Sequence, residues 1–352
     1  MKKKIKVLYV VESFSTGVYA IVRDIACNLD PNRFEVLIIH SLRDDSPSTI
    51  AEDFAQANIS LLYIPMSSSK EYVTSIKKIK RAAKEFGPDA IHLHSSKAGF
   101  LGRLALKGFK VPFIYSPHGF SFLRTDVSSF KRWIFFQLEY WINKVKKSVV
   151  VPVSEGEKAH ALRFTKNVQL IDNFIDTRAF EGEVEEEKGS VATCGRISPQ
   201  KNPRLFNEIA KALPDLTFHW IGDGPLRGEL TASNIIITGL LSHKEAIAHV
   251  KRCSLYVQTS LWEGMPVSIL EAMAASKVCV ASNVVGNRDI IRDGETGFLC
   301  DPAYPEEFVQ HIRTLSFDDA LRNTIGSNAK AYIAKNHELY QAVGKYEELY
   351  QC

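Results

Sequence analysis

Short apolar runs alternate with longer amphipathic stretches along all 352 residues. In the first half, the runs at 4–11, 34–40, 59–65, 90–94, 112–116 and 148–153 predict strands. In the second half, those at 168–172, 191–195, 216–221, 235–238, 254–259 and 278–282 do the same. Most are unbroken β-branched or aliphatic segments bounded by polar residues, Gly or Pro, the pattern of parallel strands covered on both faces. Helical patterns such as 18–29 and 266–275 lie between them. This alternation predicts two open α/β sheets, each with a ligand site beyond the carboxyl ends of its strands. A domain boundary is expected near 163–168, and the acidic segment 181–190 reads as a surface loop early in the second domain. The last stretch, 336–352, carries Leu339, Val343, Tyr346, Leu349 and Tyr350 at helical spacing.

Composition narrows the class. The length fits two domains. With 24% charged and 10% aromatic residues, a disordered or collagen-like chain is excluded. No uncharged apolar run reaches the ~18 residues of a membrane-spanning helix. The start, lysine-rich and then apolar from Val7 to Val11, reads as a first strand rather than a secretion signal. Cys27, Cys194, Cys253, Cys279, Cys300 and Cys352 show no C-x-x-C pair and no zinc spacing, which predicts reduced thiols. The formal net charge of +4 is unevenly divided: residues 1–165 carry +10 and residues 166–352 carry −6. A basic half and an acidic half imply different partners.

The segment after strand 254–259 bears the most chemistry. Glu263-Gly-Met-Pro266 leads into an apolar helix that carries Glu271. Pro266 suits a first helical position, where the amide it lacks would be unpaired anyway. Glu263 then lies in the loop and Glu271 in the second turn, flanking an anion site formed by the amides of Gly264, Met265 and the first turn. A carboxylate accepts two hydroxyl hydrogen bonds at once, which suits a ribose diol or a sugar. Ile269, Leu270, Ala272, Met273 and Ala274 leave Glu271 little polar face, so a clefted carboxylate is expected over one facing solvent. Arg196 and Lys201 follow strand 191–195 and suit a diphosphate, the Arg as a fork and the Lys as a point charge; a solvated loop would read the same way. Gly222, in Gly222-Asp-Gly-Pro225, fits a tight turn beside a nucleotide or an ordinary turn, and its spacing misses the dinucleotide fingerprint. His118 ends strand 112–116 beside Gly119, as a ligand contact or a structural histidine. His92 and His94 share one strand face without a third ligand, so no metal site is expected.

In this order and spacing the segments resemble the retaining glycosyltransferases of family four, with the GT-B architecture, over nearly the whole chain. The resemblance rests on the E-x7-E pair of Glu263 and Glu271, on Gly195-Arg196 with Lys201, on Gly222-Asp-Gly-Pro225, and on Asp293-Gly-Glu-Thr-Gly297-Phe-Leu. The segments His94-Ser-Ser-Lys-Ala-Gly-Phe-Leu-Gly-Arg103 and Pro117-His-Gly-Phe-Ser-Phe122 are similar to a bacterial branch that builds capsules, exopolysaccharides and lipopolysaccharides. The first loop has a single glycine, Gly17, where that family is glycine-rich, and Asp289 stands where Glu is common.

The resemblance implies an α/β fold of two Rossmann-like domains whose parallel sheets face across a cleft. It places an acceptor domain at 1–166 and 336–352 and a donor domain at 167–335. Glu271 would bind the donor ribose, and Arg196 and Lys201 the diphosphate. Glu263 and the amides of Gly264 and Met265 would position the donor sugar, with Pro266, Val267 and Gly222 lining the donor site. His118 would contact the sugar near the reacting carbon, and Gly17 would lie near the phosphates. The implied reaction moves a hexose-type sugar from a nucleotide-diphosphate sugar, UDP by preference, to a glycan or polyprenyl-diphosphate-linked acceptor. Anomeric configuration is retained, and neither metal nor cofactor takes part.

Basic, aromatic-rich residues 130–147 and the basic run from Lys70 to Lys84 suggest an anionic bilayer surface as a further partner, hence a cytoplasmic enzyme peripheral on the inner membrane face. The plainer reading of 130–147 is a core helix with a solvated basic edge. No recognised motif supports nucleic-acid binding. Transfer to a small soluble acceptor, a GT-B sugar-nucleotide epimerase and a silent nucleotide-sugar-binding protein are the rival readings.

Overall fold

The computed structural model describes residues 3–351 except Asp44, Ala57 and Glu183. Met1, Lys2 and Cys352, like Glu183 of the acidic segment, therefore lie outside the described residues. Strands β1 (Ile5–Val11), β2 (Phe34–His40), β3 (Ile59–Tyr63), β4 (Ala90–His94), β5 (Phe113–Ser116) and β6 (Val149–Val150) form one sheet, in the order β3-β2-β1-β4-β5-β6. Strands β7 (Glu187–Cys194), β8 (Thr217–Ile221), β9 (Ile235–Ile237), β10 (Cys253–Gln258), β11 (Val278–Ser282) and β12 (Gly297–Cys300) form another, in the order β12-β11-β10-β7-β8-β9. All pairings between these strands are parallel. Numbered within its own half, each sheet has the same order, 3-2-1-4-5-6. Each therefore reverses its winding between its first and fourth strands, and that crevice is where a doubly wound sheet takes its ligand. The two halves are α/β Rossmann-like domains.

Continuous apolar strands demand cover on both faces, and helices supply it. Leu8, Val10, Leu93, Leu101, Phe113 and Phe120 belong to the first core, and Phe206, Phe218, Trp220, Val257, Val280 and Phe308 to the second. Fully burying one such side chain contributes about 1.5–3 kcal/mol.

The chain divides into two compact units, Met1–Asn173 with Leu339–Cys352, and Phe174–Glu338. The expected cuts, 166/167 and 335/336, fall earlier than these. The cause is the run at 168–172, expected to open the second sheet. It forms only an isolated bridge, Val168 to Val150, and its backbone follows the first unit: the amides of Gln169, Ile171 and Asn173 donate to Val150, Pro152 and Val153. The twelfth strand is instead β12, short and opened by Gly297 of the Asp293-Gly-Glu-Thr-Gly297 segment, where no strand was expected. β7 also begins earlier than expected, at Glu187, so the end of the acidic loop is strand. The last helix, Leu339–Tyr350, buries Leu339, Val343, Tyr346, Leu349 and Tyr350 in the first unit, with the Tyr350 and Tyr9 hydroxyls 2.8 Å apart. No described helix is long and apolar enough to cross a membrane.

Candidate active site

In the second unit the site grows from the adjacent ends of β7 and β10. After β7 the chain turns through Gly195 (φ +143°) and Arg196 into a short turn, Pro199–Lys201, and then through Asn202 in the left-handed region (φ +50°). This loop is tied to the one after β10: the Leu261 amide donates to the Gln200 carbonyl (2.8 Å), and the Thr259 hydroxyl to that of Lys201 (2.8 Å). The ties bring Lys201 to Glu263. Glu263 is buried, and its Oε1 accepts from Lys201 Nζ at 2.8 Å and from Gln258 Nε2 at 3.2 Å. Its Oε2 accepts from Gln200 Nε2 at 3.2 Å. The Gln258 amide oxygen in turn accepts from the Tyr256 hydroxyl (3.2 Å) and Ser268 Oγ (3.1 Å), while the Tyr256 oxygen accepts from the Cys194 amide (3.1 Å). Burial holds the Tyr256 hydroxyl well above its ordinary pKa, so it remains a donor. Burial likewise pushes the Cys194 thiol up to about 12 and leaves it protonated.

The helix Val267–Ala274 begins one residue later than expected. Pro266 has an extended ψ of 119° and stands at the cap position, so its ring precedes the helix. No side chain caps this end. Ile269, Leu270, Ala272, Met273 and Ala274 are buried, and Glu271 has only 12% of its side chain exposed. Its Oε1 lies 2.6 Å from His243 Nε2, the first residue of helix His243–Arg252. Met265 is buried, while Gly264 and Val267 are half-buried. Gly264 is fixed from outside: a Cβ on Gly286 (φ +88°) would collide with its carbonyl. Gly222 (φ +138°) is similarly required, because a Cβ there would strike the Gly195 carbonyl, and its amide donates to Thr238 Oγ1 at 3.3 Å. Arg196 is exposed at the end of β7.

The first unit carries a different cluster beyond its own strand ends. Gly17 lies in the first turn of helix Thr16–Asn28, which follows β1 and so begins earlier than expected. His118, after β5, sits 3.0 Å (Nε2) from His94 Nδ1, the rings stacked at an interplanar angle of 12°. His94 is fully buried and its Nε2 has no partner. An unpaired N–H there would cost more than an unpaired lone pair, so the His94 proton belongs on Nδ1, donated to His118. The His118 proton then resides on its own Nδ1. Desolvation lowers the His118 pKa to about 4 and holds those of His94 and His92 well below 6.5. His92 is occupied by Tyr350 (2.7 Å) and Ser116 (2.9 Å). Nearby, the Gly119 amide donates to buried Glu157 (2.7 Å), and buried Glu12 is paired with Arg43 and Lys97 at 2.7 and 2.8 Å.

Backbone strain marks the same strand ends. Among the described residues five non-glycine residues have left-handed φ, and Thr16, Ser95 and His118 follow β1, β4 and β5. Asn202 follows Lys201, and only Ser276 lies elsewhere. Such residues cost about 1–3 kcal/mol each and cluster at ligand sites.

The structure therefore joins Lys201 directly to Glu263, and sets Glu271 on the helix whose Ser268 holds Gln258. Gly17 and His118 belong to the other unit. Sequence reasoning missed Gln200, Gln258 and His243. Gln258 had a signal, since an amide ending an otherwise buried strand must find polar partners. Gln200 and His243 had none. Among the described residues no group of three or more His, Cys, Asp or Glu side chains is arranged to hold a metal ion.

Two parallel six-stranded α/β sheets, each with polar clusters at its switch point, define a GT-B protein. Residues 15–179 match the family described as Glycosyltransferase Family 4, and residues 175–332 match Glycosyl transferases group 1. The chain belongs to this family of GT-B glycosyltransferases. It is 28% identical to the Escherichia coli UDP-Gal:alpha-D-GlcNAc-diphosphoundecaprenol alpha-1,3-galactosyltransferase, covering 91% of this chain and 90% of the relative. It resembles the structure of Anabaena HepE in complex with UDP and glucose (TM-score 0.82, 20% identity, 98% of each chain). Sucrose-phosphate synthase from Thermosynechococcus elongatus has the same fold (TM-score 0.85, 16% identity, 99% of this chain and 98% of that one).

Proposed function

We propose that this glycosyltransferase moves a hexose-type sugar from a UDP-sugar to a hydroxyl of a lipid-linked glycan, with retention of configuration and without a metal, in the synthesis of a bacterial surface polysaccharide. The carrying observation is the Lys201–Glu263 pair at the β7/β10 switch point, with Glu271 on the adjoining helix. Lys201 spends one proton on Glu263. An ammonium has three, leaving two for phosphate oxygens. Glu263 accepts three hydrogen bonds. One lone-pair site on Oε2 remains for a hydroxyl of the donor sugar. Arg196 adds a forked cation for the diphosphate. Glu271, with one oxygen bonded to His243, turns the other to the ribose diol. Gly17 is assigned to the donor phosphates, and the amides of Gly264, Met265 and Val267 to the donor. Gly222 acts by letting its turn close on Gly195.

In the reaction, the bond from the sugar's anomeric carbon to the β-phosphate oxygen breaks as the acceptor oxygen bonds to that carbon from the same face. The acceptor proton passes to the departing diphosphate, giving UDP. Fixed cations stabilise the charge that develops on the leaving group, the most productive place for preorganised charge. His118 is assigned to the sugar near its reacting carbon. As a neutral imidazole it donates a hydrogen bond without carrying charge.

The acceptor class is supported by the E. coli relative, whose name gives UDP-Gal as donor and a diphosphoundecaprenol-linked GlcNAc as acceptor. A lipid-linked acceptor of this kind supports reading the enzyme as cytoplasmic and peripheral on the inner face of the membrane. A panel of nucleotide sugars tests the reading, with nucleotide release followed with and without EDTA. UDP release from one UDP-sugar, undiminished by EDTA, is the expected result. Loss on chelation restored by a divalent ion overturns metal independence. Conversion of the donor to its epimer, or no turnover with any donor and acceptor, overturns transfer.

A further inference from the structure

Helix Ser129–Val145 has two faces of unlike chemistry. Inward, Phe135, Phe136 and Tyr140 pack on the first core and Ile142 is buried. Its one carboxylate, Glu139, is also turned in, accepting from Arg103 (3.2 Å) and the Tyr115 hydroxyl (2.6 Å). Outward stand Phe130, Trp133, Ile134, Leu138, Trp141 and Val145, with Phe130 69% and Trp141 62% exposed. At ~100° per residue these six fill an arc of about 140° along the whole helix. They are six of the eighteen large apolar side chains exposed among the described residues. Isolated exposed apolar residues call for no explanation, whereas a continuous stripe marks a surface that is covered in use.

Charge decides what covers it. Lys131, Lys144 and Lys147 are exposed along the stripe, and 129–147 presents no exposed carboxylate. Helix Tyr72–Phe86, packed through Ile76 and Ile79 into the same core, exposes Lys77, Lys78, Lys80, Arg81 and Lys84, with Glu85 paired to Arg81. Two copies related by a two-fold axis would oppose lysine to lysine. An anionic headgroup layer meets the same lysines with opposite charge, and it is where tryptophan rings are at home.

The geometry points to this face of helix Ser129–Val145 as the surface by which the chain lies on an anionic lipid bilayer. The helix lies in the interfacial plane, its rings at headgroup depth and its lysines among the phosphates. The assignment names the surface behind the membrane location proposed above, and rests on that reading only for its biological purpose.

The test is sedimentation of the full chain with vesicles of phosphatidylcholine alone or enriched in phosphatidylglycerol. Binding to the anionic vesicles only, weakening as salt rises, with a blue-shifted tryptophan emission, is expected. The doubly substituted Trp133→Ser/Trp141→Ser chain should bind them about tenfold or more weakly. Its melting temperature and UDP affinity should be little changed, because both side chains are more than half exposed and belong to neither the core nor the candidate site. Equal binding by wild type and variant, or no binding by wild type, overturns the assignment. So does a dimer in size exclusion that the double substitution dissolves without any vesicle binding. Vesicle binding without sugar transfer would leave this surface standing and remove the proposed reaction, so the two fail separately.

Discussion

The two sheets share one strand order and set unlike clusters beyond the ends of their strands. In the second unit, beyond β7 and β10, polar groups are mutually paired: Lys201 with Glu263 as an ion pair, and His243 with Glu271 through a hydrogen bond. In the first unit, buried Glu12 beyond β1 pairs with Arg43 and Lys97, and beyond β4 and β5 His94 and His118 stack as neutral rings whose protonation burial suppresses. One topology thus carries a paired lysine–carboxylate cluster at the strand ends of one unit and a neutral histidine stack at those of the other. The fold supplies the position; the loop residues supply the chemistry.

Removing Lys201 should have the largest effect. Lys201→Ala is expected to lower turnover by about 10²–10³-fold, the scale of losing a preorganised charge at a leaving group. It also leaves Glu263 buried without its cation, which costs several kcal/mol of stability, so melting must be measured alongside turnover. Full activity would dissolve the contrast between the two edges. Glu271→Gln should weaken UDP binding roughly 10–100-fold, as expected for charge-assisted bonds to a diol; calorimetric titration of UDP reads this directly.

His118→Asn probes the other edge. Asn tolerates the left-handed backbone at this position, so the fold should persist. Turnover should fall by about 10²-fold at the lower end of acid–base and donor contributions, while UDP affinity stays put. An equal loss of UDP affinity would show that the two edges do not divide the work this way.

Acid denaturation sharpens the comparison further. The His118 pKa lies near 4 in the fold, against 6.5 for the ordinary side chain, because burial disfavours its charged form. The unfolded chain therefore binds the additional proton first. The stability this neutrality represents is complete above pH 6.5 and is lost as pH falls toward 4, by about 3 kcal/mol for this group. Denaturant midpoints measured across that range should fall, and fall less steeply in His118→Asn. The smallest effect is expected from His243→Ala, a few-fold loss in UDP affinity through a less firmly oriented Glu271.

Much of this was legible in the chain. Unbroken apolar runs located eleven of the twelve strands, because parallel strands buried on both faces have no polar alternation to confuse them. The failures share a cause. The run at 168–172 has strand composition, but what pairs with it is decided by Val150 and its neighbours, far from anything local periodicity detects. β12 was too short and too turn-like to register. At the site, residue types that carry charge announced themselves, whereas Gln200 and His243 matter only through partners 63 and 28 positions away. Left-handed φ had a precursor in residue type at His118 and Asn202 but none at Thr16 and Ser95, since Thr and Ser rarely adopt it.

The helix Leu339–Tyr350 imposes an order on biosynthesis. Tyr9 meets its hydroxyl partner Tyr350, 341 positions further along the chain, only after everything between them has been synthesised. At ~5–20 residues per second the intervening chain takes tens of seconds to appear. The second unit is complete in that interval, and the first is not. A nascent chain therefore carries a complete second unit while the first still lacks its closing helix, and loss of Leu339–Tyr350 injures the unit whose strands were made first.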